Sequence, residues 1–336
     1  MKRRWRLLWS GLALLVVSGG ATVLWLLRDP TPYFDARRSA LAATEELPAT
    51  RDGTTLEQDV QLVATSGLRV ELAIRRPAAA EPVAVRRPVF LVLGGAVRGK
   101  DAGKLIGDTR GAIFASLKYP YDGDLDARGP RAVLAQVPAI RRAFYDTPPA
   151  VQLALDYLLA RPDVDSTRVE LVGASFGAPF AAIAAARDTR VTRLWLAHGG
   201  GDSYALIAHN LQREIPNASL RAPLAQLANL LVSGPRLSPE FWVGRVAPRP
   251  VIMLNAEQDE KIPRRSVDVL YAAAGNPKEL VWLPGKHMQG NRPEVIEELV
   301  TAMVTRILAV DPDYIPAMPT VPTMPTVPTT SPPARP

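Results

Sequence analysis

At 336 residues and 47% hydrophobic content, the chain has material for a sizeable core, which excludes wholesale disorder. The formal charge of +7 is front-loaded: Lys2, Arg3, Arg4 and Arg6 precede any acidic residue, and the remaining charges are interspersed in sign. No nucleic-acid footprint is therefore expected, and the absence of cysteine excludes disulfides, thiolate metal sites and a cysteine nucleophile.

Residues 7–27 read LLWSGLALLVVSGGATVLWLL, without a charge. As a helix this stretch is about 31 Å long, matching a ~30 Å hydrocarbon core. Cations precede it, and Arg28 is balanced by Asp29. This pattern predicts a single-pass membrane anchor within an N-terminal unit, 1–28. The N-terminus would be cytoplasmic and the domain extracytoplasmic, periplasmic or at the cell surface. Trp5, Trp9 and Trp25 near the ends suit an interface. The alternative is a cleaved signal peptide, cut among Ser18, Gly19, Gly20 and Ala21, with a secreted product. Residues 29–54, polar and carrying Pro30 and Pro32, read as a linker with some helix.

Residues 55–310 read as one catalytic domain. Short apolar runs at 70–74, 89–93, 112–117, 169–172, 194–197 and 251–254 suit strands buried on both faces. Helical patterns follow at 150–159 and 176–186, and 293–308 carries an apolar stripe at i, i+3, i+4 spacing. Alternating strands and helices predict an α/β fold: a mostly parallel, doubly wound sheet with helices on both faces. Residues 199–245 form a partly helical insert before the strand at 251–254, either a lid or an extra core-packing helical pair. The Pro/Thr-rich tail, 311–336, reads as an extended, disordered spacer.

Gly173-Ala174-Ser175-Phe176-Gly177 follows the apolar run 169–172 and opens a helical pattern. A sharp strand-to-helix turn would push the serine hydroxyl out of the backbone, and flanking glycines would avoid collisions there. Such a hydroxyl needs a base, and there are three histidines. His198 ends an apolar run as a packed or substrate-facing residue, and His209 lies in the insert. His287 sits in a loop before the last helix, at the sheet edge where ligands bind in such folds. The acid that orients it is assigned to Asp259, with Asp202 as the rival and Glu257 a weaker one. For an oxyanion, the expected donors are the N–H groups of Phe176 and of Ala96 or Gly95, after the run 89–93.

Three stretches carry a resemblance: LDYLLARPDVDSTRVELVGASFGAPFAA, VAPRPVIMLNAEQDEKIP and PKELVWLPGKHM. They resemble the α/β-hydrolase superfamily, in particular its dienelactone-hydrolase-like and acetyl-esterase-like branches. The resemblance runs from about residue 60 to 308. It implies Ser175 as nucleophile, Asp259 as acid and His287 as base. Two departures stand out: serine replaces the cysteine of dienelactone hydrolases proper, and Gly94 stands where relatives often carry histidine.

The expected activity is carboxylic ester hydrolysis through an acyl-enzyme, without metal or organic cofactor. The substrate would be a small-molecule, lipid or sugar ester. The alternatives are amide or peptide cleavage or acyl transfer at the same site, and a non-catalytic, membrane-anchored binding module. Nothing in the sequence specifies an oligomeric state.

Overall fold

The computed structural model describes residues 17–78, 86–96, 98–124 and 126–314. Four strands come first: β1 (Leu41–Glu46), β2 (Thr50–Asp52), β3 (Thr55–Ala64) and β4 (Arg69–Pro77). Then follow β5 (Arg87–Leu93), β6 (Ile113–Lys118), β7 (Val164–Ala174), β8 (Arg193–Ala197), β9 (Val251–Ala256) and β10 (Lys278–Leu283). They form one sheet, in the order β1-β3-β4-β6-β5-β7-β8-β9-β10 with β2 beside β3. From β6 to β10 every pairing is parallel, whereas β1 to β4 add an antiparallel arm joined through β4 to β6.

The helices are α1 (17–26), α2 (Thr31–Arg37), α3 (Pro130–Ala160), α4 (Ala178–Arg187), α5 (Ser203–Asn210), α6 (Ala218–Leu231), α7 (Gly234–Leu237), α8 (Arg264–Ala273) and α9 (Pro293–Val310). Side chains alternate across a strand, so β5 serves two cores. Val89, Leu91 and Leu93 pack with residues of α3, α4 and α8. Phe90 and Val92 pack with Val295, Leu299 and Met303 of α9. The expected doubly wound fold is observed, and its parallel strands are apolar on both faces for this reason.

Several stretches differ from expectation. Residues 29–54 carry α2, β1 and β2. Phe34 of α2 is fully buried beside Tyr145 and Trp242. Tyr33 Oη donates to Asp146 at 2.8 Å, and Arg37 donates to both oxygens of the same carboxylate at 2.7 Å. α3 begins twenty residues before the expected helix at 150–159, although Pro138, Pro148 and Pro149 lie inside it. Buried side chains from Ala143 to Leu158 pack it in place, and that burial outweighs the lost backbone hydrogen bonds.

The expected membrane anchor is corrected. Among the described residues no helix is long and apolar enough to cross a membrane. Residues 7–16 and 315–336 lie outside the described residues, so only part of the apolar stretch and of the Pro/Thr-rich tail is seen. The described part of α1, 17–26, spans about 15 Å, half of a ~30 Å hydrocarbon core. Its end is held by the domain. Leu26 is buried, Ser233 Oγ donates to the Leu26 carbonyl at 3.2 Å, and Arg236 donates to that of Leu27. Arg141 lies over the Trp25 ring at 4.5 Å. The single-pass topology, the membrane contact through 7–27 and the extracytoplasmic placement fall with the anchor. Counting uncharged residues could not reveal that folded partners hold the end of the stretch.

Candidate active site

β7 ends at Ala174, and Ser175 takes φ 52°, in the left-handed region that non-glycine residues rarely adopt. The chain then makes one short turn, Ser175–Gly177, and enters α4. Both flanking glycines are dictated by close approach. A Cβ at Gly173 would stand 2.6 Å from Ala181 Cβ and 2.8 Å from Ala178 Cα. A Cβ at Gly177 would stand 2.7 Å from the Leu93 carbonyl carbon. The turn is therefore tight enough to lift the half-buried Ser175 side chain off the end of the strand.

Ser175 Oγ lies 2.8 Å from Nε2 of His287, whose ring is 2% exposed. Nδ1 of the same imidazole lies 2.8 and 3.0 Å from the two oxygens of Asp259. With the proton on Nδ1, His287 donates to the carboxylate and presents a lone pair to the serine hydroxyl. Asp259 stands three residues past β9, and its Oδ1 accepts from the Lys261 and Ile262 N–H groups at 2.8 Å each. Burial alone would raise its pKa. The hydrogen bonds from His198 and His287, the charge at His287 and the Ile262 N–H outweigh burial and hold it well below the usual carboxylate range.

Glu260 secures the histidine loop. Its carboxylate accepts from the His287 N–H at 2.9 Å and from Arg292 at 2.7 Å, while Arg292 also donates to the His287 carbonyl at 2.7 Å. Partial burial raises the Glu260 pKa, but these donors prevail and bring it to about 2.

The other sequence candidates are placed elsewhere. Asp202 caps α5, its side chain accepting from the Ala205 N–H at 3.0 Å. Glu257 is exposed, and His209 Nε2 lies 3.1 Å from the Glu260 carbonyl. His198 is the residue whose place the sequence left undefined. It is fully buried at the end of β8, with Nδ1 3.1 Å from Asp259 Oδ2. Its signal in the sequence was its position, since it ends a buried parallel strand at the same sheet edge. His198, Asp259 and His287 bring donor atoms within 4.8 Å of one another.

The Gly94-Gly95-Ala96 segment follows β5. A Cβ at Gly94 would stand 2.5 Å from Ala102 Cβ, so a side chain is excluded at this position. Tyr119 Oη donates to the Gly94 carbonyl at 2.5 Å, and burial pushes the phenol pKa upward so that it keeps its proton. Ala96 and Phe176 line one cavity of about 580 Å³, together with Tyr119, Tyr121, Ile140 and Phe144. Gly95 instead lines a smaller apolar cavity of about 110 Å³ against α9. No residue of 199–245 lines the larger cavity.

No family model matches the chain. Two similar curated proteins are uncharacterized proteins YfhR. That of Salmonella typhi is 28% identical over 142 residues, 40% of this chain and 45% of the relative. That of Escherichia coli O157:H7 is 29% identical over 139 residues, 41% and 44% respectively. The chain thus spans less than half the length of the curated relatives it matches. Among solved structures, acetyl xylan esterase 1 from Thermoanaerobacterium sp. JW/SL YS485 aligns with TM-score 0.57 at 16% identity, over 80% of this chain and 90% of that one. The acetyl xylan esterase from Paenibacillus sp. R4 gives 0.58 at 15%, over 80% and 93%. The alpha/beta hydrolase GrgF from Penicillium sp. sh18 gives 0.52 at 16%, over 81% and 100%. In sheet topology and in the course of its helices, the chain has the α/β-hydrolase fold.

Proposed function

We propose that the protein is a serine hydrolase that cleaves carboxylic esters through an acyl-enzyme. The observation that carries this reading is the unbroken chain of contacts from Ser175 through His287 to Asp259, at 2.8 Å on each side of the imidazole. Ser175 Oγ attacks the ester carbonyl while His287 Nε2 takes its proton, and Asp259 stabilises the imidazolium. The Phe176 N–H, directly after the nucleophile, and the Ala96 N–H across the shared cavity receive the developing oxyanion. His287 then returns the proton to the departing alcohol, and water repeats the sequence on the acyl group.

The cavity favours a substrate with an apolar or aromatic portion, because Tyr119, Tyr121, Ile140, Phe144 and Phe176 form much of its wall. Acetyl xylan esterases are among the structures with this fold, which supports small and sugar-borne acyl esters as first substrates. The test uses the full chain on chromogenic acetyl, butyryl and octanoyl esters beside Ser175→Ala. Wild-type turnover and serine-directed phosphonate labelling, both reduced in the variant by at least about 10³-fold, are expected. An equally active Ser175→Ala protein would refute the assignment.

A further inference from the structure

Asp259 faces two imidazoles. Oδ2 lies 2.8 Å from His287 Nδ1 and 3.1 Å from His198 Nδ1, and the two rings meet edge to face at 5.2 Å. His198 is fully buried and holds φ 51°, a left-handed conformation that costs a non-glycine residue energy and persists where the surroundings impose it. Those surroundings are visible. The His198 N–H donates to the Leu254 carbonyl at 2.7 Å, and Asn255 Nδ2 fixes the next carbonyl, Gly199, at 2.9 Å. The end of β8 is thereby bent so that this ring lies beside the acid.

The tautomer follows from what each nitrogen meets. Nδ1 has two neighbours, the Asp259 carboxylate and the Met288 N–H at 3.2 Å. Unprotonated, it would accept from Met288 but turn a lone pair toward an ionised oxygen in a buried site. Protonated, it gives up the long contact from the Met288 N–H but makes a charge-assisted bond to Asp259, roughly twice as strong as one between neutral groups. Among the described residues Nε2 has no partner, so a proton there would be a buried donor left unmade. The proton therefore belongs on Nδ1, pointed at Asp259.

We propose that His198 is a positioning residue: it donates Nδ1–H to Asp259 Oδ2, holding the carboxylate in register with His287 and sharing its negative charge. This rests on the reading of Ser175, His287 and Asp259 as the reacting group. With His198 in place, Asp259 receives two imidazole N–H groups and two backbone N–H groups. Without it, the carboxylate loses one side support, and more of its charge falls on His287. The titratable groups around this pair are Asp259 and Glu260 after β9, His287 and Arg292 before α9, and His209 of α5 against the Glu260 carbonyl.

The test compares wild type, His198→Gly, His198→Asn and Ser175→Ala as full chains. Glycine removes the donor and relieves the left-handed backbone. Asparagine tolerates that backbone and places an amide donor near the former Nδ1. His198→Gly is expected to lower kcat about tenfold with KM little changed, and to move the acid limb of the pH–rate profile to higher pH. His198→Asn should recover most of the rate. Proton NMR with nitrogen-labelled histidine should show two strongly downfield ring N–H signals in wild type and one in either variant. Wild-type kcat and pH profile in His198→Gly would overturn the proposal, as would equal impairment of the two variants. Should the glycine variant not fold, an asparagine variant without the rate recovery overturns it. An active Ser175→Ala protein would instead sink the underlying triad, while the N–H signals would still report whether His198 donates.

Discussion

Gly177→Ala tests whether the elbow and the proposed oxyanion segment are one packed unit. The added Cβ would sit 2.7 Å from the Leu93 carbonyl carbon and 2.8 Å from Leu93 Cβ, and nearer still to the Leu93 oxygen. Carbon atoms attract best at about 3.5–4.0 Å, so the two backbones must part by at least about 0.8 Å. Neither side yields easily: Gly177 leads into α4, whose Ala178, Phe180, Ala181 and Ala182 are buried, and Leu93 ends a central strand. Overpacking of this kind costs about 1–3 kcal/mol. The same displacement moves Gly94-Gly95-Ala96, directly after Leu93, away from Phe176. A misplacement near 1 Å can cost about 10²-fold in rate. Urea unfolding gives the first quantity, and kcat on an acetyl ester gives the second. Gly95→Ala serves as control, since nothing lies within 4 Å of its Cβ and its stability should change by less than about 0.5 kcal/mol. A Gly177→Ala protein with wild-type stability and wild-type kcat would refute the close-approach argument.

Two further outcomes are expected. Glu260 has its folded-state pKa depressed to about 2 from the ordinary glutamate value of 4.5. It therefore contributes stability that is present above the unfolded value and lost as pH falls through the folded one. Because the carboxylate is largely exposed, the gap between wild type and Glu260→Gln should stay below about 1 kcal/mol at neutral pH and close by about pH 2. A gap that grows on acidification, followed by urea unfolding across pH, would contradict this. Ala143 lines the larger cavity from α3 and is buried. Ala143→Phe should lower kcat/KM for an octanoyl ester at least about tenfold more than for an acetyl ester, since it removes space and not chemistry. Equal losses on both esters would place the acyl chain elsewhere.

The central and C-terminal part of the fold was legible in the sequence because its strands are short, apolar and separated by clear turns. The elbow was legible because its glycines report a steric need that the backbone confirms at Gly173 and Gly177. Other features depend on partners far away in the chain. β3 reads TLEQDVQLVA, with its polar residues on a half-covered face, and β1 is almost wholly exposed, so neither stands out as a strand before pairing. α3 was hidden by its prolines. The sequence favoured Asp259 but kept Asp202 as a rival, because each follows a strand at the same edge. Their difference lies in which amide or imidazole each one meets. His198 escaped for the same reason: burial was foreseeable, but the carboxylate 61 positions along the chain was not.

The sheet is uneven in where it carries the proposed reactive groups. The serine, both buried histidines and Asp259 follow β7, β8, β9 and β10, and the glycine segment follows β5. The antiparallel arm reaches the segment that lines the larger cavity through the ion pairs of Asp59 with Lys100, Glu57 with Lys104 and Glu71 with Lys118, and through Arg75, which donates to the Gly103 and Gly107 carbonyls. Durability and chemistry can therefore be adjusted separately. Changes in the arm, away from those contacts, should alter how much heat the protein survives while leaving turnover untouched. The arm is a natural region for sequence drift, or for deliberate stabilisation, with little risk to the reaction.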